Sequence, residues 1–106
     1  LGGAVGRVPT GATAFAHRHA LFSVEFVGLW DSPDETESTR AWFDEARATM
    51  SSSLVGAVPN YADPDLPEWK AAYYGNGLAR LRKVKRAVDP NNVFRHSQSI
   101  PPASNR

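Results

Sequence analysis

The stretch Pro59-Asn60-Tyr61-Ala62-Asp63-Pro64-Asp65-Leu66 places one phenol between an amide and two carboxylates, in a segment broken by prolines. A tyrosine can take a proton from a substrate. A phenol has an ordinary pKa near ~10, however, and acts as a base only where cationic or hydrogen-bonding surroundings favour the phenolate. Asp63 and Asp65 have the wrong sign for that, so activation of Tyr61 has to come from elsewhere in the fold or from the reaction partner. The plainer role for Tyr61 is a ring that packs and a hydroxyl that finds a partner. His17 and His19 lie two apart, share a face if the segment is extended, and could hold a metal with His96 or a carboxylate. Three histidines with no open-site or supporting-ligand pattern argue against a metal, whereas one histidine carrying a proton needs fewer companions. The run Arg80-Leu81-Arg82-Lys83-Val84-Lys85-Arg86 holds five cations in seven residues, enough to track phosphates along a groove. Leu81 and Val84 interrupt it at core spacing and no reading helix or stacking platform accompanies it. A solvated helix face is therefore the better reading, and nucleic acid is not expected as a partner.

Positioning these groups falls to the surrounding elements. Along residues 20–30 the apolar even positions Phe22, Val24, Phe26 and Trp30 alternate with Ser23 and Glu25, the period-two pattern of a half-buried strand. A shorter strand is expected at 4–8 and a further extended piece at 15–19, with Pro9 and Gly11 turning the chain between them, so the first third reads as antiparallel sheet. Ser32-Pro33-Asp34-Glu35 fits a capping box, with the Ser32 hydroxyl accepting the Glu35 N–H and Pro33 at the first helical position. The helix it opens, about 33–50, carries Thr39, Trp42, Phe43, Ala46 and Met50 on one stripe and should stop near Ser51-Ser52-Ser53. Pro59, Pro64 and Pro67 make the next segment an ordered loop or linker. A last helix is expected at about 76–88, with Leu78, Leu81, Val84 and Val88 on its apolar face and Asp89-Pro90-Asn91-Asn92 ending it. The tail from Ser97 onward carries little structural signal.

Composition bounds the possibilities. A chain of 106 residues with 42% apolar and 22% charged residues and a formal net charge of +1 suits one small domain of an ordinary soluble globular protein. The absence of cysteine removes disulfides, thiolate catalysis and most structural zinc sites together, without assigning a compartment. The longest apolar run, 20–30, is too short for a bilayer and carries Glu25, so no membrane span is expected. The opening Leu-Gly-Gly-Ala-Val-Gly lacks an initiator methionine and the regions of a signal peptide, which leads to the expectation that it lies inside a longer protein.

Three stretches, read together, have a further meaning: Gly-Gly-Ala-Val-Gly-Arg-Val-Pro with Thr-Ala-Phe-Ala-His-Arg inside 2–18, Asn-Tyr-Ala-Asp-Pro-Asp-Leu at 60–66, and the run from Tyr73 to Pro102. They closely resemble the C-terminal part of berberine bridge enzyme-like FAD-linked oxidases of the vanillyl-alcohol oxidase/PCMH superfamily. The ordered series Tyr-Tyr-Gly, Arg-Leu, Val-Lys, Asp-Pro-Asn, Phe-Arg and Gln-Ser-Ile-Pro-Pro is too long to arise from amphipathic patterning.

The resemblance implies an α+β fold, an antiparallel sheet with covering helices that forms the C-terminal portion of a two-domain flavoprotein. In that reading residues 1–58 are substrate-domain strands and covering helix. Residues 59–106 are the Asn-Tyr loop, the basic helix and a tail returning to an FAD-binding domain that this chain does not contain. The cofactor is FAD, with any covalent attachment upstream, and the substrate is a small-molecule alcohol, sugar or amine. Tyr61 becomes the general base, His17 a substrate contact, Arg18 structural, and Asn60, Tyr74 and Asn76 cofactor contacts. The sequence departs from many relatives in having Val58 where an aromatic stands and Gly77 where an asparagine stands two residues after Tyr-Tyr-Gly. The resemblance also leads to the expectation that the chain alone is inactive. The competing class is a noncatalytic fragment, a partner-binding remnant or a basic-helix module for nucleic acid.

Overall fold

The computed structural model describes residues 1–104. Among them are four α-helices, α1 (Ala4–Arg7), α2 (Thr36–Met50), α3 (Trp69–Tyr74) and α4 (Leu78–Val88), with 3₁₀ turns at Pro33–Glu35, Ser51–Ser53, Pro59–Tyr61 and Gly75–Gly77. The chain divides into two compact units, one of Leu1–Leu21 together with the chain from Val55 onward, the other Phe22–Leu54.

The expected antiparallel sheet is not formed: no described residue lies in a strand. Residues 4–7 are the single turn α1, residues 17–20 close a turn through the Ala20 N–H to the His17 carbonyl at 3.3 Å, and residues 22–30 run without regular structure. Alternation sorts side chains onto two faces. A strand exists, however, only when a neighbouring strand takes up its N–H and C=O groups, and among the described residues 22–30 make no backbone hydrogen bond. An α+β sheet with covering helices is therefore corrected to helices, 3₁₀ turns and irregular connections.

In the unit Phe22–Leu54 the predicted helix stands. Its opening is tighter than a capping box: the Ser32 hydroxyl accepts the Asp34 N–H at 3.4 Å, the Ser32 carbonyl accepts the Glu35 N–H at 3.0 Å, and Pro33 begins a 3₁₀ turn before α2. The apolar stripe meets the extended segment. Phe26 and Trp42 pack edge to face at 6.4 Å, Trp42 and Phe43 at 5.1 Å, and a Cβ on Gly28 would lie 2.9 Å from Thr39 Cγ2 and 3.0 Å from Phe43 Cζ. At Gly28 the backbone thus lies close against the Thr39 and Phe43 side chains of α2. Three serines end the helix in a 3₁₀ turn, as expected of residues that compete for backbone hydrogen bonds.

In the other unit α3 and α4 are joined by Gly75, whose φ of 47° ends α3 at little steric cost. The inward face of α4 differs from the predicted one. Leu78, Leu81, Arg82, Lys85 and Arg86 are half-buried, whereas Val84 and Val88 are exposed. Positions 78, 81, 82, 85 and 86 follow the three-and-four spacing of one helical face, so Arg82, Lys85 and Arg86 lay their methylene stems against the protein, and Lys85 and Arg86 carry their heads to acceptors. Arg80 donates to the Gly11 carbonyl at 2.9 Å, Arg86 to the Pro90 carbonyl at 3.4 Å, and Lys85 to both Asp89 and the Phe94 carbonyl. The tail is tied back as well, through the Ala103 N–H to the Arg82 carbonyl at 3.1 Å.

Candidate functional site

Tyr61 ends the 3₁₀ turn Pro59–Tyr61, which Pro59 favours by fixing its own φ and which the Tyr61 N–H closes onto the Val58 carbonyl at 3.1 Å. Its ring is 72% exposed, and among the described residues its hydroxyl has no hydrogen-bond partner. Asn60 beside it is exposed too. The following residues are pinned: the Asp63 carboxylate accepts the Asp65 N–H at 2.9 Å and the Asp63 carbonyl accepts the Leu66 N–H at 3.2 Å, an Asx-type turn that the acidic residues build for themselves.

The anchor beneath this loop is Tyr73. It is 2% exposed, the most enclosed apolar side chain among the described residues, with Trp69 one helical turn earlier at 6.2 Å and Tyr74 at 6.0 Å. Its phenol oxygen accepts the Asp63 N–H at 2.8 Å. Gln98, also buried, donates to the Asp63 carbonyl at 2.6 Å and accepts from the Tyr73 hydroxyl at 3.4 Å. Sequence reasoning assigned no role to Tyr73 or Gln98, although both sit inside quoted motifs. The available signal was an amide in an otherwise featureless tail, together with a tyrosine four residues after a tryptophan.

His17 is half-buried, and its Nε2–H donates to the Ala57 carbonyl at 2.7 Å, which leaves Nδ1 as the acceptor of the neutral ring. Phe15 meets the ring edge-on at 5.8 Å. Ala57 in turn donates its N–H to the Ala72 carbonyl of α3 at 2.9 Å. A Cβ on Gly56 would fall 2.2 Å from His17 Cε1 and 2.8 Å from the Ala72 carbonyl oxygen, so the approach of His17 to α3 requires glycine there. His17 is therefore brought to the segment that leads into the Tyr61 turn. Arg18 stacks its guanidinium over Phe15 at 5.1 Å and donates to the Thr13 hydroxyl, both local packing contacts. His19 and His96 are exposed, and among the described residues no three histidine, aspartate or glutamate side chains converge as a metal would require.

Tyr74 is half-buried at the end of α3, and Asn76 is exposed in the 3₁₀ turn that follows. Burial, with a smaller contribution from Tyr73, raises the Tyr74 pKa above the ordinary phenol value, so Tyr74 stays a neutral O–H donor. Farther along, Asp89 is buried where α4 stops. Its carboxylate accepts the Val93 N–H at 2.8 Å, the Phe94 N–H at 3.1 Å and the Lys85 ammonium. The hydrogen bond from Lys85 holds the Asp89 carboxyl below the usual carboxylate range; burial opposes this, and the two backbone N–H groups add to the lowering. The basic run thus closes the helix end.

Comparison with known proteins accords with these motifs. Residues 59–101, which contain the Tyr61 turn, α3, α4 and Gln98, match the family described as berberine and berberine like. The chain is 42% identical over 102 residues to the FAD-linked oxidoreductase YgaK of Bacillus subtilis, covering 96% of this chain and 23% of that protein. It is 40% identical over 110 residues to the FAD-linked oxidoreductase sorD of Penicillium rubens, covering 98% and 23%, and 32% identical over 135 residues to berberine bridge enzyme-like C-1 of Nicotiana tabacum, covering 95% and 24%. The chain spans about a quarter of the length of these relatives. With the Asn-Tyr turn, the Tyr-Tyr-Gly helix end and the Gln-Ser-Ile-Pro-Pro tail all inside the matched region, the chain belongs to the berberine bridge enzyme-like family.

Proposed function

We propose that the chain supplies the base-bearing part of an FAD-dependent oxidoreductase that removes hydride from a small-molecule alcohol, sugar or amine, with the FAD-binding domain of the same protein as its partner. The observation that carries this reading is the exposure of Tyr61 on a turn whose backbone is fixed from below. Groups suited to the edge of an uncharged ring are present in the same unit: Asn60 and Asn76 offer exposed amides, and Tyr74 a phenol that stays protonated. FAD, when bound, supplies the acceptor for the hydride. Tyr61 takes the substrate hydroxyl proton onto its phenolate oxygen, which raises the donor strength of the adjacent C–H bond. His17 offers Nδ1 to a substrate hydroxyl or amine while Ala57 holds its other nitrogen.

The test is anaerobic stopped-flow reduction of the full-length protein, with benzyl alcohol, benzylamine and glucose as probe substrates. Tyr61→Phe should slow flavin reduction by roughly 10²-fold or more at unchanged flavin content, the range expected for losing one acid–base group. A Tyr61→Phe protein reduced at the wild-type rate would falsify the assignment.

A further inference from the structure

Two consecutive residues of α3 hold the two ends of the Tyr61 loop. The Ala72 carbonyl accepts the Ala57 N–H at 2.9 Å, and the Tyr73 phenol oxygen accepts the Asp63 N–H at 2.8 Å. The Tyr73 O–H is turned to Gln98 Oε1 at 3.4 Å, and Gln98 Nε2 donates to the Asp63 carbonyl at 2.6 Å. The N–H and C=O of Asp63 are therefore both gripped by buried side chains, one from the helix ten residues on and one from the tail thirty-five residues on. Burying a phenol hydroxyl and a carboxamide costs free energy unless both are hydrogen-bonded, and here each bonds the other and the backbone of the same loop residue. Tyr61 lies two residues before that grip, with an exposed ring and no internal hydrogen bond from its hydroxyl among the described residues. Its phenol is placed by the backbone of its turn, and the backbone is placed by this network.

We propose that Tyr73 and Gln98 are positioning residues that fix the Tyr61 turn so that its phenol projects outward at a set place. The inference rests on the assignment of Tyr61 as the base. Tyr73 and Gln98 touch no reacting atom in this scheme; they act through Tyr61. A displacement of about 1 Å in a catalytic group is enough to cost roughly 10²-fold in rate, so loosening the loop should be visible in the chemistry.

The experiment uses the full-length protein as wild type, Tyr73→Phe, Gln98→Glu, Tyr61→Phe and the Tyr61→Phe/Tyr73→Phe double variant. Gln98→Glu keeps the acceptor for the Tyr73 hydroxyl and removes the donor to Asp63, and it serves if Tyr73→Phe fails to fold. Two quantities are read: hydrogen–deuterium exchange in the peptide covering 57–66, and anaerobic flavin reduction per bound flavin, using whichever of benzyl alcohol, benzylamine or glucose reduces the wild type fastest. Tyr73→Phe and Gln98→Glu should each speed exchange at 57–66 by about tenfold, the loss of one buried hydrogen bond, with no change across α2. They should slow reduction roughly 10- to 100-fold when Tyr61 is present, while the double variant reduces no more slowly than Tyr61→Phe alone. Unchanged exchange overturns the inference, whatever Tyr61 does. An equal slowing with and without Tyr61 also overturns it, since the role would then be structural. Faster exchange combined with an undiminished Tyr61→Phe rate removes Tyr61 from the chemistry and leaves the network as the anchor of the loop, so the two failures are told apart.

Discussion

Asp89 turns a helix stop into a closed knot. Its two oxygens take two backbone N–H groups of the next turn and the ammonium of Lys85 one helical turn back, and Asn92, at φ 51°, lets the chain double back between them. Because the folded carboxyl titrates below its ordinary value, the unfolded chain binds the proton more readily, and the stability Asp89 contributes is fully present above about pH 4. It is lost as pH falls through the lower, folded-state value. Asp89→Asn should therefore lower the urea midpoint at pH 7, and the gap between the two proteins should narrow steadily on acidification below about pH 4. A gap that stays constant down to pH 2 would remove the charged form from the account. The stop at Asp-Pro-Asn-Asn was legible in the sequence, because proline and asparagine end helices for local reasons. The ion pair behind it was not, since four-residue spacing between Lys85 and Asp89 says nothing about which face turns inward.

At the scale of elements, local signals were readable and long-range pairing was not. Ser32-Pro33 marked where helical structure begins, as a 3₁₀ turn that runs into α2 three residues later than expected, and the triple serine marked its end, because caps and breakers act within a turn. The period-two pattern at 22–30 names the residues that would share a face and is silent on whether a neighbouring strand is present. α4 was found, but its inward face was misjudged because Val84 and Val88 look like core and Arg82 and Lys85 do not. Close approach at glycine gives an element-scale prediction with an internal control. At Gly56 an added Cβ meets the Ala72 carbonyl at 2.8 Å, a backbone atom of α3 that can move only with the helix, as well as the His17 ring. At Gly28 the obstacles at 2.9 and 3.0 Å are the ends of the Thr39 and Phe43 side chains, which can turn aside. Gly56→Ala should destabilise by about 1–3 kcal/mol, the usual cost of overpacking, and Gly28→Ala by less. Thermal melts of the two variants decide this, and a larger loss at Gly28 would contradict the reading of the 55–57 segment as a rigid seat for His17.

For the molecule as a whole, family membership was written in ordered motifs, whereas the anchoring of the Tyr61 loop was not, since Asp63, Tyr73 and Gln98 come from three separated stretches that only the fold brings together. The groups proposed to face the cofactor are few, and Asn60, Tyr61 and Asn76 are exposed. Polar contacts of this kind contribute about 0.5–1.5 kcal/mol each, so the three from Asn60, Tyr74 and Asn76 fall short of most of an association cost of about 4–15 kcal/mol. The isolated 106-residue chain should therefore stay colourless after incubation with FAD and desalting. In the unit Phe22–Leu54 several large apolar side chains are left open as well, with Leu29 92% and Val27 61% exposed. Open apolar surface on this scale favours association, so the chain alone should bind the dye ANS and self-associate with rising concentration, and Val27→Thr with Leu29→Gln should weaken both effects. Recovery of the chain with roughly one flavin per molecule would mean that these residues hold the cofactor themselves, and the division of labour between this region and an FAD-binding domain would have to be redrawn.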